Sequence, residues 1–229
     1  MKLVIVSDIH GNHDALRALP EDYDELWVLG DLVNYGPQPK EVVAEVMEKA
    51  SLVVQGNHDH AVGHDDDSRW SPRYRPIAEA TRRYTSSVLS DAQKAYLRGL
   101  PLQAQAERDG LRFHLTHAMP SDPLYGRHPK DAEGWGAELQ PLQADVLLVG
   151  HTHVPFLRRI GDRVVLNPGS LGQPRTGAPV SSYAVCEDGR FELRSFRYPV
   201  EATVGKLRAL ALPRHVETEL VAILETGSV

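Results

Sequence analysis

Aspartate, asparagine and histidine residues recur in this sequence in short polar pairs and blocks. Asp8 and His10 are separated by one residue, as are His151 and His153. In extended or turn geometry, side chains two positions apart point the same way, so each pair can present both groups to one site. The complete set of candidate ligands offers carboxylate, amide or imidazole donors and no thiolate: Asp8, His10, Asp31, Asn57, His117, His151 and His153. Such donors suit Mn²⁺, Fe²⁺, Zn²⁺, Co²⁺ or Ni²⁺, and the lack of cysteine argues against a structural zinc site.

Seven candidate ligands are too many for one tetrahedral ion. They suit two divalent ions about 3.5–4 Å apart that share a bridging carboxylate, an arrangement used for in-line displacement at phosphorus. Each part of the set also has an ordinary interpretation. Gly30-Asp31 alone is typical of a turn, His151-Thr152-His153 can occur by chance, and Asp8-Ile9-His10 can be a helix cap followed by a surface histidine. Their order and their placement after predicted strands favour the site.

The elements that must position these residues are short apolar runs, each ending just before a candidate ligand. The runs cover residues 3–6, 26–29, 52–54, 111–116 and 146–149. Runs of this length bounded by glycine or polar residues are typical of buried strands. Helical patterns at 12–19, with Asn12 as N-cap, and at 39–50 separate the first three runs, which predicts a parallel sheet covered on both faces. Ligands bind beyond the carboxyl ends of such strands, so we expect the candidates to gather at one edge.

The rest of the chain predicts more helix and more hairpins. Residues 72–100 read as mostly helical, and hairpins are predicted at 154–166 and 182–197, forming an antiparallel sheet that follows or extends the first. From Val200 the pattern is helical again, with a break at Pro213. We expect one domain over 1–229, with 200–229 as a helical extension packed on it.

Composition excludes several function classes. The chain has 229 residues, a formal net charge of −6 and a single cysteine, Cys186, which rules out an internal disulfide framework and which we expect in the core. No apolar run is long enough for a transmembrane helix, and residues 3–6 are too short for the apolar region of a signal peptide. The negative charge disfavours stable nucleic-acid binding. We therefore expect a cytoplasmic protein without membrane association, and homo-oligomerisation is left open.

Five blocks of the sequence resemble the signature of calcineurin-like metallophosphoesterases. The blocks are Asp8-x-His10, Gly30-Asp31, Gly56-Asn57-His58-Asp59, His117 and Gly150-His151-x-His153. Three further stretches are similar to the small bacterial and archaeal phosphodiesterase branch of that family: Ser7-Asp8-Ile9-His10-Gly11-Asn12, Tyr35-Gly36-Pro37 and Asn167-Pro168-Gly169-Ser170. The resemblance implies the metallo-dependent phosphatase fold, a four-layer α/β/β/α sandwich of two mixed sheets flanked by helices.

The resemblance also implies a role for each residue. Asp8, His10 and His153 would hold one ion, Asn57, His117 and His151 would hold a second, and Asp31 would bridge the two. A hydroxide between the ions would attack phosphorus in line. His58 would be the catalytic residue, stabilising the transferring phosphoryl group or protonating the leaving oxygen. Mn²⁺ is the expected metal, with Fe²⁺, Zn²⁺, Ni²⁺ and Co²⁺ as alternatives.

One block departs from the phosphoprotein phosphatases of this superfamily, which carry Gly-Asp-x-x-Asp-Arg-Gly. Here Asn34 replaces the carboxylate that would pair with the active-site histidine, and Tyr35 replaces an arginine that would grip the phosphate. Loss of the bidentate arginine favours a diester over a dianionic monoester. We expect a phosphodiesterase acting on small or nucleotide-type substrates, with Asn34, Tyr35 and Arg175 as candidate substrate contacts. A phosphomonoesterase, a dinucleoside-polyphosphate hydrolase and a non-catalytic scaffold are the alternatives.

Two other segments are candidates for the rim of the site. The stretch 69–98 is rich in arginine and could guide an anionic substrate, although an exposed helix face is the favoured interpretation. The loop 119–128 is the second candidate. His114 alternates out of phase with its apolar neighbours, so we expect it to face solvent or to support the site.

Overall fold

Two five-stranded sheets form the centre of the protein, for which the computed structural model describes residues 1–228. In chain order the strands are β1 (Lys2–Val6), β2 (Glu25–Val28), β3 (Leu52–Val53), β4 (Gln103–Arg108), β5 (Leu111–Thr116), β6 (Val146–Leu148), β7 (Phe156–Ile160), β8 (Arg163–Asn167), β9 (Ser181–Glu187) and β10 (Arg190–Phe196). The first sheet has the order β10-β9-β1-β2-β3 and the second β4-β5-β6-β8-β7. Both are mixed, because β1 is parallel to β2 but antiparallel to β9, and β8 is parallel to β6 but antiparallel to β7.

Eight helices accompany the sheets within the described residues. They are α1 (His13–Arg17), α2 (Pro39–Lys49), α3 (Asn57–His64), α4 (Arg75–Val88), α5 (Asp91–Gly99), α6 (Ala132–Leu139), α7 (Val200–Arg208) and α8 (Arg214–Thr226). Asn12 caps α1 as predicted, since its side-chain oxygen accepts a hydrogen bond from the Ala15 N–H at 3.1 Å. The sequence did not indicate α3, which begins at the candidate ligand Asn57 itself, or α6.

The alternation of side chains along β1 explains why the layers stack as they do. Val4 and Val6 face the helical layer and join a core with residues of α1, α2, α3 and α5. Leu3 and Ile5 face the opposite way and pack against the second sheet, where they meet Phe113 and other apolar residues of β5, β6 and β8. Period-two alternation places apolar side chains on both faces, so both faces of the first sheet are buried.

The outer face of the second sheet is covered by α6. Trp135 and Leu139 of this helix pack on Leu147, Val149 and Val165. The molecule therefore has four layers, helices, sheet, sheet and helix, which is the α/β/β/α sandwich expected from the sequence blocks. The first sheet is covered on both faces, as predicted, by helices on one side and by the second sheet on the other. Such apolar runs indicate burial on both sides but do not say which element provides it.

Both predicted hairpins exist, but they belong to different sheets. β7 and β8 form an edge of the second sheet, whereas β9 and β10 extend the first through the pairing of β9 with β1. Of the two alternatives expected for His114, exposure to solvent is wrong: its side chain is buried, and Nε2 lies 2.7 Å from Gln103 Oε1 of the neighbouring strand. Cys186 is buried in the core between the sheets, as predicted.

The C-terminal helices pack beside the edge at which the strands end. α7 and α8 form an apolar cluster with α4, and Tyr35 and Trp70 belong to the same cluster. Pro213 lies directly before α8, at the predicted break. None of the helices within residues 1–228 combines the length and apolar character that crossing a bilayer requires.

Candidate metal centre

Three of the predicted ligands converge at the end of β1, although they lie far apart in the sequence. His10 Nε2 and His153 Nε2 are 3.1 Å apart. Asp8 Oδ1 lies 3.2 Å from His153 Nε2 and 3.8 Å from His10 Nε2. All three side chains are buried. The arrangement is that of a three-donor site with one carboxylate oxygen and two imidazole nitrogens.

A second group of three converges next to the first. Asn57 Oδ1 lies 3.1 Å from His117 Nε2 and 3.1 Å from His151 Nδ1, and the two imidazole nitrogens are 3.2 Å apart. These donors come from the start of α3, the end of β5 and the loop after β6. The structure thus brings together the two groups of ligands that the sequence blocks imply.

Asp31 lies between the two groups. Its Oδ2 is 3.7 Å from His10 Nε2 in the first group and 3.3 Å from His117 Nε2 in the second. Its Oδ1 accepts a hydrogen bond from the backbone N–H of His58 at 2.8 Å. One carboxylate oxygen is therefore held away from the centre, while the other can contact both groups.

Backbone carbonyls fix the orientation of three of the four imidazoles. The Nδ1 atoms of His10, His117 and His153 lie 3.1, 2.7 and 2.6 Å from the carbonyl oxygens of Val33, Leu29 and Gln173. A carbonyl oxygen can only accept, so in the neutral form of each ring the proton lies on Nδ1 and Nε2 presents a lone pair to the centre. The same arrangement of carbonyl, histidine and metal orients ligands in many metalloproteins.

One carboxylate oxygen of Asp8 has hydrogen-bond donors, whereas the other has none among the described residues. Its Oδ2 accepts hydrogen bonds from Ser7 Oγ at 2.6 Å and from the backbone N–H of His151 at 3.0 Å. Its Oδ1 is buried and has no donor among the described residues. A buried carboxylate oxygen facing nitrogen lone pairs is costly unless a cation joins them. The donor set therefore fits divalent metal ions.

The backbone around the centre is held in an uncommon conformation. Eleven non-glycine residues within 1–228 have positive φ, and seven belong to or adjoin the centre: Asp8, His10, Asp31, Asn34, Tyr35, His151 and His153. Their φ values, between 48° and 66°, lie in the left-handed region, where each non-glycine residue costs on the order of 1–3 kcal/mol. Such strain clusters at functional sites, where the surrounding structure fixes the geometry.

Gly56 and Asp59 hold Asp31 in place, a role that the sequence did not reveal. A Cβ on Gly56 would lie 2.1 Å from Asp31 Oδ1, so only glycine allows this approach. Asp59 accepts hydrogen bonds from the backbone N–H groups of Asp31 at 2.8 Å, Leu32 at 2.8 Å and Gly56 at 3.0 Å. The Gly-Asn-His-Asp block thus contributes a supporting carboxylate as well as a candidate ligand.

The ionisable groups of the centre shift one another's pKa values. Burial opposes the imidazolium form of His117, but the carboxylates of Asp31 and Asp8 outweigh it and raise the pKa of His117 to about 9. Burial disfavours ionisation of Asp8 as well, yet His153 keeps the pKa of this carboxyl below its usual range. Burial and the neighbouring Asp31 raise the pKa of Asp59 to about 7. Without a metal, a proton on His117 partly balances the two carboxylates.

His58 stands at the boundary between the centre and an open cleft. Ring nitrogens of His58 and His10 and a carboxylate oxygen of Asp31 lie within 4.8 Å of one another. Asn34 Nδ2 donates to His58 Nδ1 at 2.9 Å, which leaves the proton of the neutral ring on Nε2. Burial lowers the pKa of His58 to about 4, so the ring is neutral at pH 7. Tyr35 packs against His58 with ring centroids 4.6 Å apart and is itself buried.

The cleft has a volume of about 490 Å³ and opens from the centre toward solvent. Asp31, Asn57, His58, His151 and His153 line it on the side of the centre. Aromatic and basic side chains form its walls: Tyr35, Arg69, Trp70, Tyr74, Tyr125, Arg127 and Arg175. Of the three predicted substrate contacts, Tyr35 and Arg175 line the cleft, whereas Asn34 lies behind His58.

Several cleft residues were missed or only weakly indicated. Arg69 and Tyr125 fall within the two rim segments suggested by the sequence, but nothing in the pattern distinguished them from their neighbours. Arg82, also in the basic stretch, pairs instead with Asp65 and Asp67. Trp70 and Tyr74 carried no signal, because single aromatic residues in a loop show no periodicity.

Comparison with known proteins places these observations in a family. A model described as "Calcineurin-like phosphoesterase superfamily domain" matches residues 1–188, a range that includes all seven candidate ligands and His58. "Uncharacterized protein MJ0912" of Methanocaldococcus jannaschii is 28% identical, over 92% of this chain and 93% of that protein. "Phosphodiesterase YfcE" of Escherichia coli K12 is 30% identical, over 79% of this chain and 85% of that protein.

A solved structure agrees over almost the whole chain. The crystal structure of a metallophosphoesterase from Sphaerobacter thermophilus superposes with a TM-score of 0.82 at 29% identity, covering 97% of this chain and 99% of that one. The agreement extends past residue 188, where the family match ends, and so includes the region of α7 and α8.

Proposed function

Because the chain belongs to the calcineurin-like phosphoesterase superfamily, we propose that it is a two-metal phosphodiesterase that hydrolyses small or nucleotide-type phosphodiesters. The observation that carries this proposal is the 3.1 Å approach of His10 Nε2 to His153 Nε2 beside the unpartnered Asp8 Oδ1. These three acceptors have no protein donor between them. A divalent cation is the group that would satisfy all three.

The ligands would divide between two ions. Asp8, His10 and His153 would hold the first ion, Asn57, His117 and His151 would hold the second, and Asp31 would be shared. When bound, such ions supply a hydroxide nucleophile near neutral pH and neutralise charge on the phosphoryl oxygens. The mixed oxygen and nitrogen donors favour Mn²⁺, with Fe²⁺, Zn²⁺, Ni²⁺ and Co²⁺ as alternatives.

His58 would act on the substrate rather than on the metal. Because Asn34 donates to its Nδ1, the neutral ring can donate a hydrogen bond from Nε2. The low pKa of His58 keeps it uncharged at neutral pH, so it would stabilise a phosphoryl or leaving oxygen by a hydrogen bond from the neutral ring. Asn34 would be a positioning residue that fixes the tautomer and does not touch substrate.

Residues 34 and 35 are Asn and Tyr where phosphoprotein phosphatases have Asp and Arg, and this difference supports a diester as the substrate. Tyr35 is buried, and burial raises the pKa of its hydroxyl, so it offers no charge to a phosphate dianion. A diester carries one negative charge on its reacting phosphate and has less need of an adjacent guanidinium. The proposal therefore places diesters ahead of monoesters.

A second candidate is favoured by the cleft walls. Arg69, Arg127 and Arg175 bring three guanidinium groups to the cleft, which suits a substrate with more than one phosphate charge. A phosphomonoesterase or a dinucleoside-polyphosphate hydrolase would use the same centre. Relative rates on matched diester, monoester and pyrophosphate substrates separate these activities.

The test is hydrolysis of bis(p-nitrophenyl) phosphate and p-nitrophenyl phosphate by protein reconstituted with Mn²⁺, Fe²⁺, Zn²⁺, Ni²⁺ or Co²⁺. We expect metal-dependent turnover, abolished by a chelator and restored by Mn²⁺, with the diester cleaved faster. Metal content is measured in parallel. The matched control is His215→Gln, which removes an exposed imidazole of α8 and should change neither quantity.

Absence of turnover with every metal would contradict the enzymatic proposal. If metal content were also near zero and Mn²⁺ did not restore it, the remaining interpretation would be a scaffold that keeps the fold without catalysis. Faster cleavage of the monoester would overturn the preference for diesters but leave the two-metal centre standing.

A further inference from the structure

The walls of the cleft contain polar groups that the proposed hydrolysis does not use. Three separate segments supply them: the loop between α3 and α4, the loop between β5 and α6, and the loop after β8. The metal ligands come instead from the strand ends and the start of α3. The walls can therefore recognise the part of a substrate that is not being cleaved.

Two arginine–tyrosine pairs stand on these walls. The Arg69 guanidinium lies 4.4 Å from the centroid of the Tyr125 ring, and Asp122 holds it through contacts of 3.2 and 2.6 Å. The Arg175 guanidinium lies 5.1 Å from the centroid of the Tyr74 ring and donates to Gln173 Oε1 at 3.0 Å. Each pair combines a fixed positive charge with a flat aromatic surface.

Two donors on the same walls have no partner among the described residues. Trp70 is 6% exposed, and its Nε1–H forms no hydrogen bond. Arg175 Nε is also buried without an acceptor. Buried donors are nearly always satisfied in folded proteins, and both of these belong to residues that line the cleft, where a ligand or ordered water can supply the acceptors.

The size of the cleft agrees with a ligand larger than phosphate. Its 490 Å³ falls within the range of about 300–1,000 Å³ that is typical of sites for organic ligands of drug size. Arg127 adds an exposed guanidinium that forms no ion pair within residues 1–228. The cleft thus offers positive charge, aromatic surface and free donors together.

We propose that this cleft is a nucleotide subsite that binds a nucleoside with at least one phosphate besides the one at the metal centre. Guanidinium groups bind phosphate oxygens, and tyrosine, tryptophan and arginine planes stack on nucleobases. The net charge of −6 favours a free nucleotide over a nucleic-acid strand. This inference deepens the proposed phosphodiesterase function by naming its substrate class.

The test measures equilibrium binding to the metal-loaded enzyme, so that it does not depend on turnover. The probes are α,β-methylene-ADP and adenosine. Because Trp27 and Trp135 are fully buried, quenching of tryptophan fluorescence by a nucleotide reports on Trp70, and Trp70→Phe should remove the signal. We expect α,β-methylene-ADP to bind at least about tenfold more tightly than adenosine, since binding gains charge-assisted hydrogen bonds.

Variants of the walls separate the two parts of the ligand. Arg69→Gln and Arg127→Gln should each weaken α,β-methylene-ADP by about tenfold and leave adenosine nearly unchanged. Tyr125→Leu should weaken both probes. The matched control is Arg83→Gln, which removes an exposed guanidinium of α4 that does not line the cleft and should change neither affinity. Arg69 is 55% exposed and Arg127 is exposed, so neither change should disturb folding.

The outcomes distinguish this inference from the proposed function. One outcome would overturn the nucleotide subsite alone. In it, bis(p-nitrophenyl) phosphate is hydrolysed in a metal-dependent way, but the wall variants bind α,β-methylene-ADP as tightly as the Arg83→Gln control does. Nucleotide binding with the expected losses but without hydrolysis would overturn the phosphodiesterase proposal alone. Tighter binding of a 5′-phosphorylated oligonucleotide than of α,β-methylene-ADP would contradict the choice of a free nucleotide.

Discussion

His10 Nε2 and His153 Nε2 lie 3.1 Å apart, although 143 positions separate the two residues in the sequence. Each ring commits its Nδ1 to a backbone carbonyl, so in the neutral rings both facing nitrogens are acceptors. Two lone pairs at this distance repel unless a cation lies between them. The backbone of both residues is held in the left-handed region, so the fold keeps the two nitrogens together. The predictions below therefore test whether a metal ion binds at this position.

The first prediction concerns the shared carboxylate. Asp31→Ala should lose metal from both groups, because Asp31 Oδ2 lies 3.7 Å from His10 Nε2 and 3.3 Å from His117 Nε2. Asp31→Asn, which preserves the shape, should retain less metal than the unaltered protein. Metal-to-protein ratios after reconstitution with Mn²⁺ measure this. Full metal content in Asp31→Ala would show that the residue does not bridge.

The second prediction separates catalysis from metal binding. His58→Ala should lower kcat by about 10²–10³-fold, the usual cost of removing one stabilising donor, while metal content stays unchanged. Asn34→Ala should lower kcat by less, because the ring remains but its tautomer is no longer fixed. The comparison is with Asp31→Ala. Equal metal loss in His58→Ala and Asp31→Ala would mean that His58 is itself a ligand.

The third prediction uses the tight contact at Gly56. Gly56→Ala should displace Asp31, since the new Cβ would lie 2.1 Å from its Oδ1, and should reduce both metal content and Tm. Gly205→Ala is the matched control, because a Cβ there meets nothing within 4 Å and alanine favours a helix by up to about 1 kcal/mol. We expect Gly205→Ala to keep its metal and to gain stability. A Gly56→Ala protein with normal metal content would refute the constraint on Asp31.

The fourth prediction is a pH dependence of stability away from the centre. Burial disfavours ionisation of Glu21, but hydrogen bonds from Lys2, Arg194 and Tyr183 lower its pKa to about 2. A carboxyl with a lowered pKa stabilises the fold above its unfolded pKa, near 4.5, and that contribution is lost as pH falls toward 2. Glu21→Gln should therefore cost about 1–2 kcal/mol at pH 7, the range of charge-assisted hydrogen bonds, and almost nothing near pH 2.

Urea unfolding at pH 7, 4 and 2.5 measures the difference for Glu21→Gln. The control is Glu48→Gln, an exposed residue of α2 that forms no ion pair in the described part of the chain, which should have little effect at any pH. A pH-independent cost of Glu21→Gln would show that its hydrogen bonds do not depend on ionisation.

The sequence predicted the candidate ligands because each follows a buried strand. Leu3 and Val4 belong to an apolar run that can be seen to end at Val6 without any knowledge of the sheet order, and Asp8 follows two positions later. The parallel pairing of β1 with β2, and of β5 with β6, then brings strand ends to one edge. The positions of the strand ends and of the candidate ligands could therefore be predicted from the local sequence pattern.

What the sequence could not show depends on pairing across long distances. β9 joins β1 although about 180 residues separate Leu3 from Cys186, and no periodicity specifies that partner. The same limit applies to His114, which is buried beside Gln103 of the paired strand β4, and to the contact of Arg69 with Tyr125. Arg69 and Tyr125 lie in loops, in which residue type says little about position.

The most direct test of the two-metal centre is a crystal structure of the Mn²⁺-reconstituted protein with anomalous diffraction data collected at the manganese edge. Two anomalous peaks are expected, one contacting Asp8, His10 and His153 and one contacting Asn57, His117 and His151, with Asp31 touching both. No peak in fully reconstituted crystals, or a single peak that Asp31 does not contact, would contradict it.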